Sequence, residues 1–223
     1  MRLLPLPLAL TARLSPVAVL ATAGWALSSG PLAPAPAAGH EPVQNKTATQ
    51  SATAPSATTE SKTYATAPAP CDSIGTKTIT ALVPGAKTGG KEIPSTDAKL
   101  RRTCSWNALK GYDYRWLDVS FEVMGSGEQA QKSYQERTTE KSGGGAVPGL
   151  GDEAYSVVNL TTEDKQQTRE GEVIARADNA LVVVTYNGSD FETKKAPSTD
   201  EINKGAIKAA KEAMAALKGG QAG

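Results

Sequence analysis

Leu117-Asp118-Val119-Ser120-Phe121-Glu122-Val123 decides the fold. Its four apolar side chains point one way, and the acids and serine between them point the other. That is the period-two pattern of a strand with one face on a core and one in water. Residues 155–160, 172–176 and 180–186 read as three further strands, and the run Leu181-Val182-Val183-Val184, apolar on both faces, marks a central one. Asp178-Asn179 supplies the hairpin turn between the last two. Upstream, Cys104 and Trp106 alternate with Thr103 and Ser105 in the same period.

Helices punctuate these strands. Residues 77–83 place Ile79, Leu82 and Val83 on one side, with Thr76 as cap and Pro84-Gly85 as stop, and a polar loop follows to Leu100. After Gly125-Ser126-Gly127, residues 128–141 have helical composition with a thin apolar face of Ala130 and Tyr134; residues 142–151 form a glycine-rich loop. The best-marked helix is the last. Ser198 and Glu201 make a capping box, Ile202, Ala206, Ala210, Ala213 and Leu217 follow at steps of four and three, and Gly219-Gly220 ends it. This order predicts the α+β class, with a meandering, mostly antiparallel sheet flanked by helices.

Only the part from Cys71 to about residue 218 reads as globular. Residues 1–38 have the features of a signal peptide: Arg2 and Arg13 give a basic start, and Ser-Pro-Val-Ala-Val-Leu-Ala-Thr-Ala-Gly-Trp-Ala-Leu-Ser over 15–28 gives an apolar core. Small-residue sites fall near Ser29 and near Ala38, and the same stretch left uncut would act as a membrane anchor. Leu27-Ser28-Ser29-Gly30 has the shape of a lipoprotein tetrapeptide, but Gly30 has no thiol to acylate. From Pro42 to Pro70, 21 of 29 residues are Ala, Pro, Ser or Thr. Such a segment cannot bury enough surface to offset its ordering entropy, so residues 39–70 read as a disordered stalk and 219–223 as a flexible tail. Asn45, Asn159 and Asn187 each begin a glycosylation tripeptide.

Of 24 basic and 23 acidic residues, all but four and two respectively follow the stalk's end, so the domain is near neutral. It has no electrostatic footprint for nucleic acid. Cys71 and Cys104, the only cysteines, read as one disulfide in an exported chain; two buried thiols are the alternative.

Few residues suggest chemistry. The single histidine, His40, lies outside the domain, which leaves no imidazole for a Ser or Cys nucleophile or for a metal. Gly149-Leu150-Gly151-Asp152-Glu153-Ala154 fits a dinucleotide fingerprint but precedes a strand rather than a helix, and Gly85, Gly90 and Lys91 match a phosphate loop except that Glu92 stands where Ser or Thr is needed. No cofactor is expected. Gly149, Gly151 and Asp152 read as a structural turn. Carboxylate pairs, Asp118 with Glu122 or Asp152 with Glu153, leave open a histidine-free enzyme acting on wall material. Tyr112, Tyr114 and Trp116 form a possible ligand or partner surface, while Trp106 reads as core against the disulfide.

Pro70-Cys71-Asp72, Cys104-Ser105-Trp106 and Val147-Pro148-Gly149-Leu150-Gly151-Asp152-Glu153-Ala154-Tyr155, behind a leader and stalk, resemble the actinobacterial envelope proteins of the domain of unknown function 3558 family, many of them lipoproteins. The resemblance spans residues 71–217. It implies a paired disulfide, a cell-surface location and a fold of the Mog1/PsbP kind, and it implies no activity. The combined expectation is an extracellular or envelope-bound monomer, a non-catalytic binding or accessory module whose partner is an envelope protein, glycan or small ligand.

Overall fold

The computed structural model describes residues 62–220, which form an α+β domain. The leader, the stalk up to residue 61, Asn45 and residues 221–223 lie outside the described residues. A single 3₁₀ turn, Pro70–Asp72, leads into α1 (Thr76–Leu82). Strands β1 (Lys91–Ile93), β2 (Arg101–Lys110) and β3 (Asp113–Val123) follow, then α2 (Gly127–Thr139). The chain continues through β4 (Gly145–Ala146), β5 (Glu153–Glu163), β6 (Gln166–Ala177) and β7 (Ala180–Asp190), and closes with α3 (Thr199–Gly219).

The seven strands make one sheet in the order β1-β2-β3-β7-β6-β5-β4, antiparallel throughout. Two meanders therefore meet where β3 pairs with β7. The valine-rich run lies on the central strand, as its two-faced apolarity requires. Leu117, Val119 and Phe121 sit in register with Tyr186, Val184 and Val182, and all six are buried against α3 and α1. Each such side chain contributes about 1.5 to 3 kcal/mol by leaving water. On this face the chain tucks Ile202, Ala206, Ala210, Ala213 and Leu217 of α3 into the core together with Ala209 and Met214.

Ser198 caps α3 by accepting from the Glu201 N–H at 3.1 Å. The reciprocal half of the capping box is replaced: the Glu201 carboxylate takes a hydrogen bond from Arg115 Nη2 at 2.8 Å, tying the helix start to β3. Arg115 is also ion-paired with Asp113 at 2.7 Å.

Cys71 and Cys104 are disulfide-bonded, joining the segment before α1 to β2 and closing a loop of sequence separation 33. Constraining the unfolded chain in this way stabilises the fold by about 3 to 4 kcal/mol. Trp106 lies beside the bridge in the core, 1% exposed, and its indole donates to the Thr88 carbonyl at 3.0 Å.

Several sequence expectations are corrected. The cap of α1 is Gly75, not Thr76; Glu212 of α3 accepts from the Gly75 N–H and the Thr78 hydroxyl at 2.9 and 2.6 Å, so the helix start is held by a distant carboxylate. The polar loop before Leu100 contains β1, and the glycine-rich loop contains β4; both strands are too short for a periodic signal. Ser120 and Glu122 are buried rather than wet. Glu122 is engaged by α2, whose Arg137 reaches Glu122 Oε2 at 2.6 Å, and the Ser120 hydroxyl is hydrogen-bonded with that of Thr103 on β2 at 2.9 Å. Residues 62–70, read as the end of the stalk, pack on the domain: Tyr64, Ala67 and Pro70 are buried. Asn179, fully buried, accepts from the Tyr64 N–H and donates to the Tyr64 carbonyl, both at 2.8 Å. Gly219 is the last residue of α3 rather than the start of a tail.

Candidate functional site

The two faces of the sheet are covered unequally. One lies under α3 and α1. On the other, α2 covers only the end where Tyr134 packs on Ile174 and Leu181. The cover stops where Lys141 meets Glu172 at 2.6 Å, and beyond that line no described helix lies over the face.

Trp116 stands in the middle of this open half. Alternation along β3 turns it away from the core face of Leu117 and Val119, and it is 37% exposed. Its Nε1 donates to Ser105 Oγ at 2.8 Å and to Asp118 Oδ1 at 2.7 Å. Asp118 is two residues ahead on the same strand and sits across from Ser105. Both bonds hold the indole N–H toward the neighbouring Ser105 and Asp118 row, while part of the ring meets solvent.

Register builds the surroundings. Residues directly opposite one another on adjacent strands share a face. Trp116 is thus flanked by Asn107 on β2 and Asn187 on β7, and the row continues through Glu170 on β6 and Asn159 on β5. The parallel row beside it holds Ser105, Asp118, Thr185 and Glu172. At the margin of these rows a groove of about 520 Å³ runs between residues 93–97 and β2, with Ile93, Leu100, Arg101, Thr103 and Asp118 in its walls. Ile93 and Leu100 are exposed there.

Of the three aromatics proposed from the sequence, Tyr114 and Trp116 share this face. Tyr112 lies in the β2–β3 turn, 58% exposed, and its carbonyl accepts from the Phe191 N–H at 2.9 Å. The Tyr114 and Phe191 rings are 6.1 Å apart and tilted by 34°. Asn107, Asn187 and Phe191 were not legible as site residues; only strand register brings them beside Trp116 and Tyr114.

Gly149 and Gly151 have φ of +73° and +68° in the turn that precedes β5. The Asp152 N–H donates to the Arg176 carbonyl at 2.8 Å, and its carboxylate accepts from the Asp178 N–H at 2.7 Å. Gly151 approaches the Arg176 carbonyl so closely that a Cβ would strike it. No helix follows this turn, nor does one follow Gly90-Lys91, where β1 begins.

The carboxylate pairs are tied to donors rather than to each other. Glu122 is held by Arg137 and Arg101, Asp118 by Trp116, and Asp152 and Glu153 both by Arg176 at 3.2 and 2.7 Å. Among the described residues no group of three His, Cys, Asp or Glu is placed to hold a metal ion, and no helix is long and apolar enough to cross a membrane.

No protein-family model matches the chain, and no curated protein matches it. Similar solved structures include the extracellular domain of PknH from Mycobacterium tuberculosis, at 12% identity and a TM-score of 0.30, covering 53% of this chain and 64% of that one. A protein from Bacteroides thetaiotaomicron matches at 12% identity and a TM-score of 0.30, covering 50% of each chain. Ara h 8.0201 matches at 10% identity and a TM-score of 0.20, covering 70% of this chain and 92% of that one. The chain thus spans less than two thirds of the first two. At these TM-scores the likenesses carry no argument about what this chain does.

Proposed function

We propose that the protein is an exported cell-envelope module that binds rather than catalyses, and that its binding surface is the open half of the sheet around Trp116. The observation that carries this reading is the exposed, hydrogen-bonded indole of Trp116 beside a groove. A large, partly exposed aromatic on a sheet, its N–H held by two acceptors, is pre-organised for contact. The leader, the Ala/Pro/Ser/Thr-rich segment and the Cys71–Cys104 disulfide support an oxidising destination. The four acids weighed for catalysis, each engaged by an arginine or an indole, favour binding over turnover.

The test is made in intact cells. A photo-crosslinking residue at Asn107 traps an envelope component, one at Lys208 on the exposed side of α3 traps none, and fractionation finds the chain outside the cytoplasm. Equal trapping at both positions, a cytoplasmic chain, or turnover of glycan, ester or peptide substrates that a single carboxylate substitution abolishes would defeat the reading.

A further inference from the structure

We infer that the ligand of the Trp116 surface is a neutral glycan, lying across the strands with a sugar ring on the indole and its hydroxyls on the flanking asparagines. The inference rests on the binding reading above and names the ligand class.

The carboxamides of Asn107 and Asn187 make no hydrogen bond to the described protein, while those of Asn179 and Asn203 are engaged. A carboxamide offers two donors and an acceptor, which is what a vicinal diol needs. Placing one on each side of the strand position that carries the indole brings the two halves of sugar recognition to one patch: an apolar ring for the C–H face of the sugar, and paired donors and acceptors for its rim. The spacing also fits. Neighbouring strands are about 4.8 Å apart, roughly the width of one pyranose, so successive rings would meet successive strands along the row Asn107, Trp116, Asn187, Glu170.

Competing ligands fit less well. A peptide added as a strand needs unpaired backbone, and β3 is paired on both sides, with β2 and β7. A nucleic acid or other polyanion could stack on the indole, but among the described residues the rows carry Asp118, Glu170 and Glu172 against one unpaired cation, Lys91 opposite Ser105, while Lys141 and Arg101 are paired with Glu172 and Glu122. The excess of acids disfavours phosphate or sulfate and places no charge penalty on an uncharged polyhydroxyl.

The test titrates the full-length mature protein with neutral hexasaccharides of β-1,4-linked glucose and N-acetylglucosamine, followed by calorimetry, with heparin as the polyanionic arm. At least one neutral chain binds saturably. Trp116→Ala weakens it tenfold or more, Trp116→Phe retains part of the affinity, and Asn187→Ala weakens it several-fold, all with unchanged melting temperature. Because Trp116→Phe keeps a stacking ring, it guards against a folding defect in the alanine variant. Absence of saturable binding to a broad array of neutral glycans, equal affinity of Trp116→Ala, or preferential heparin binding overturns the inference. If a protein alone is trapped at Asn107 while every glycan fails, this inference falls and the binding reading stands; if nothing depends on Trp116, both fall.

Discussion

Tyr186 is buried at the centre of the sheet, and its hydroxyl donates to the Leu82 carbonyl at 2.8 Å. Burial pushes the phenol up to about 12; burial raises Tyr64 and Tyr134 as well. An acid with a folded pKa above its unfolded value holds its proton longer when folded. Its stabilising contribution is complete below pH 10 and is lost as pH rises toward 12. For Tyr186 the loss is on the order of 2 kcal/mol. Tyr186→Phe is therefore expected to be less stable by about 1 kcal/mol at pH 8, where it lacks the bond to Leu82. It should also show a shallower fall between pH 10 and 12, as read from denaturant midpoints. Asn179 fixes the entering chain by the same kind of local bond. Asn179→Ala strands the Tyr64 backbone and the Met124 carbonyl, which also accepts from Asn179 at 3.0 Å. The expected cost is about 2 to 4 kcal/mol, with faster proteolysis near residues 62–67. Tyr64 and Asn179 are 115 positions apart, so nothing local in either stretch announces the clamp, and the polar composition around Tyr64 reads as stalk.

Among the elements, α3 was the most legible because capping, periodicity and termination all agree on it. Its docking geometry was not legible. Gly205 lies against the Tyr186 ring, where a Cβ would stand 2.6 Å from Cε1. In an isolated helix, Gly205→Ala would gain about 1 kcal/mol of propensity. Here the added carbon collides with a ring locked in the core, so the variant is expected to lose about 1 to 3 kcal/mol. Gly219→Ala, with nothing within 4 Å, serves as the neutral control in the same thermal-melt series. The strands were legible as strands, but β5, β6 and β7 run several residues beyond their apolar alternation. Asp164 and Lys165, at φ +48° and +70°, form the two-residue turn that lets β5 and β6 pair from Glu153 to Glu163. Asp suits the first position of that turn, but the second normally carries Gly, so Lys165 hides the signal. Alternation placed Leu117 and Val119 inside and Trp116 outside, but it could not foresee that Arg137 of α2 would engage Glu122 while leaving Asp118 at the margin.

At the scale of the whole molecule, the meeting of β3 with β7 puts Asn187 beside Trp116, although 71 positions separate them in the chain. The helices then leave that half of the face open. The Tyr112, Tyr114 and Trp116 cluster was visible in the sequence; the asparagines that give the surface its chemistry are supplied by topology alone. The measurement that bears most directly on this account is a ¹H–¹⁵N spectrum of the labelled protein during titration with the neutral hexasaccharides. Trp106 and Trp116 give distinct indole probes, one bonded to Thr88 in the core and one on the open face. The account predicts that the Trp116 indole and the side-chain amides of Asn107 and Asn187 shift together and saturate, while the Trp106 indole stays fixed. Saturating shifts confined to another surface, or none at all with any neutral glycan, would contradict it.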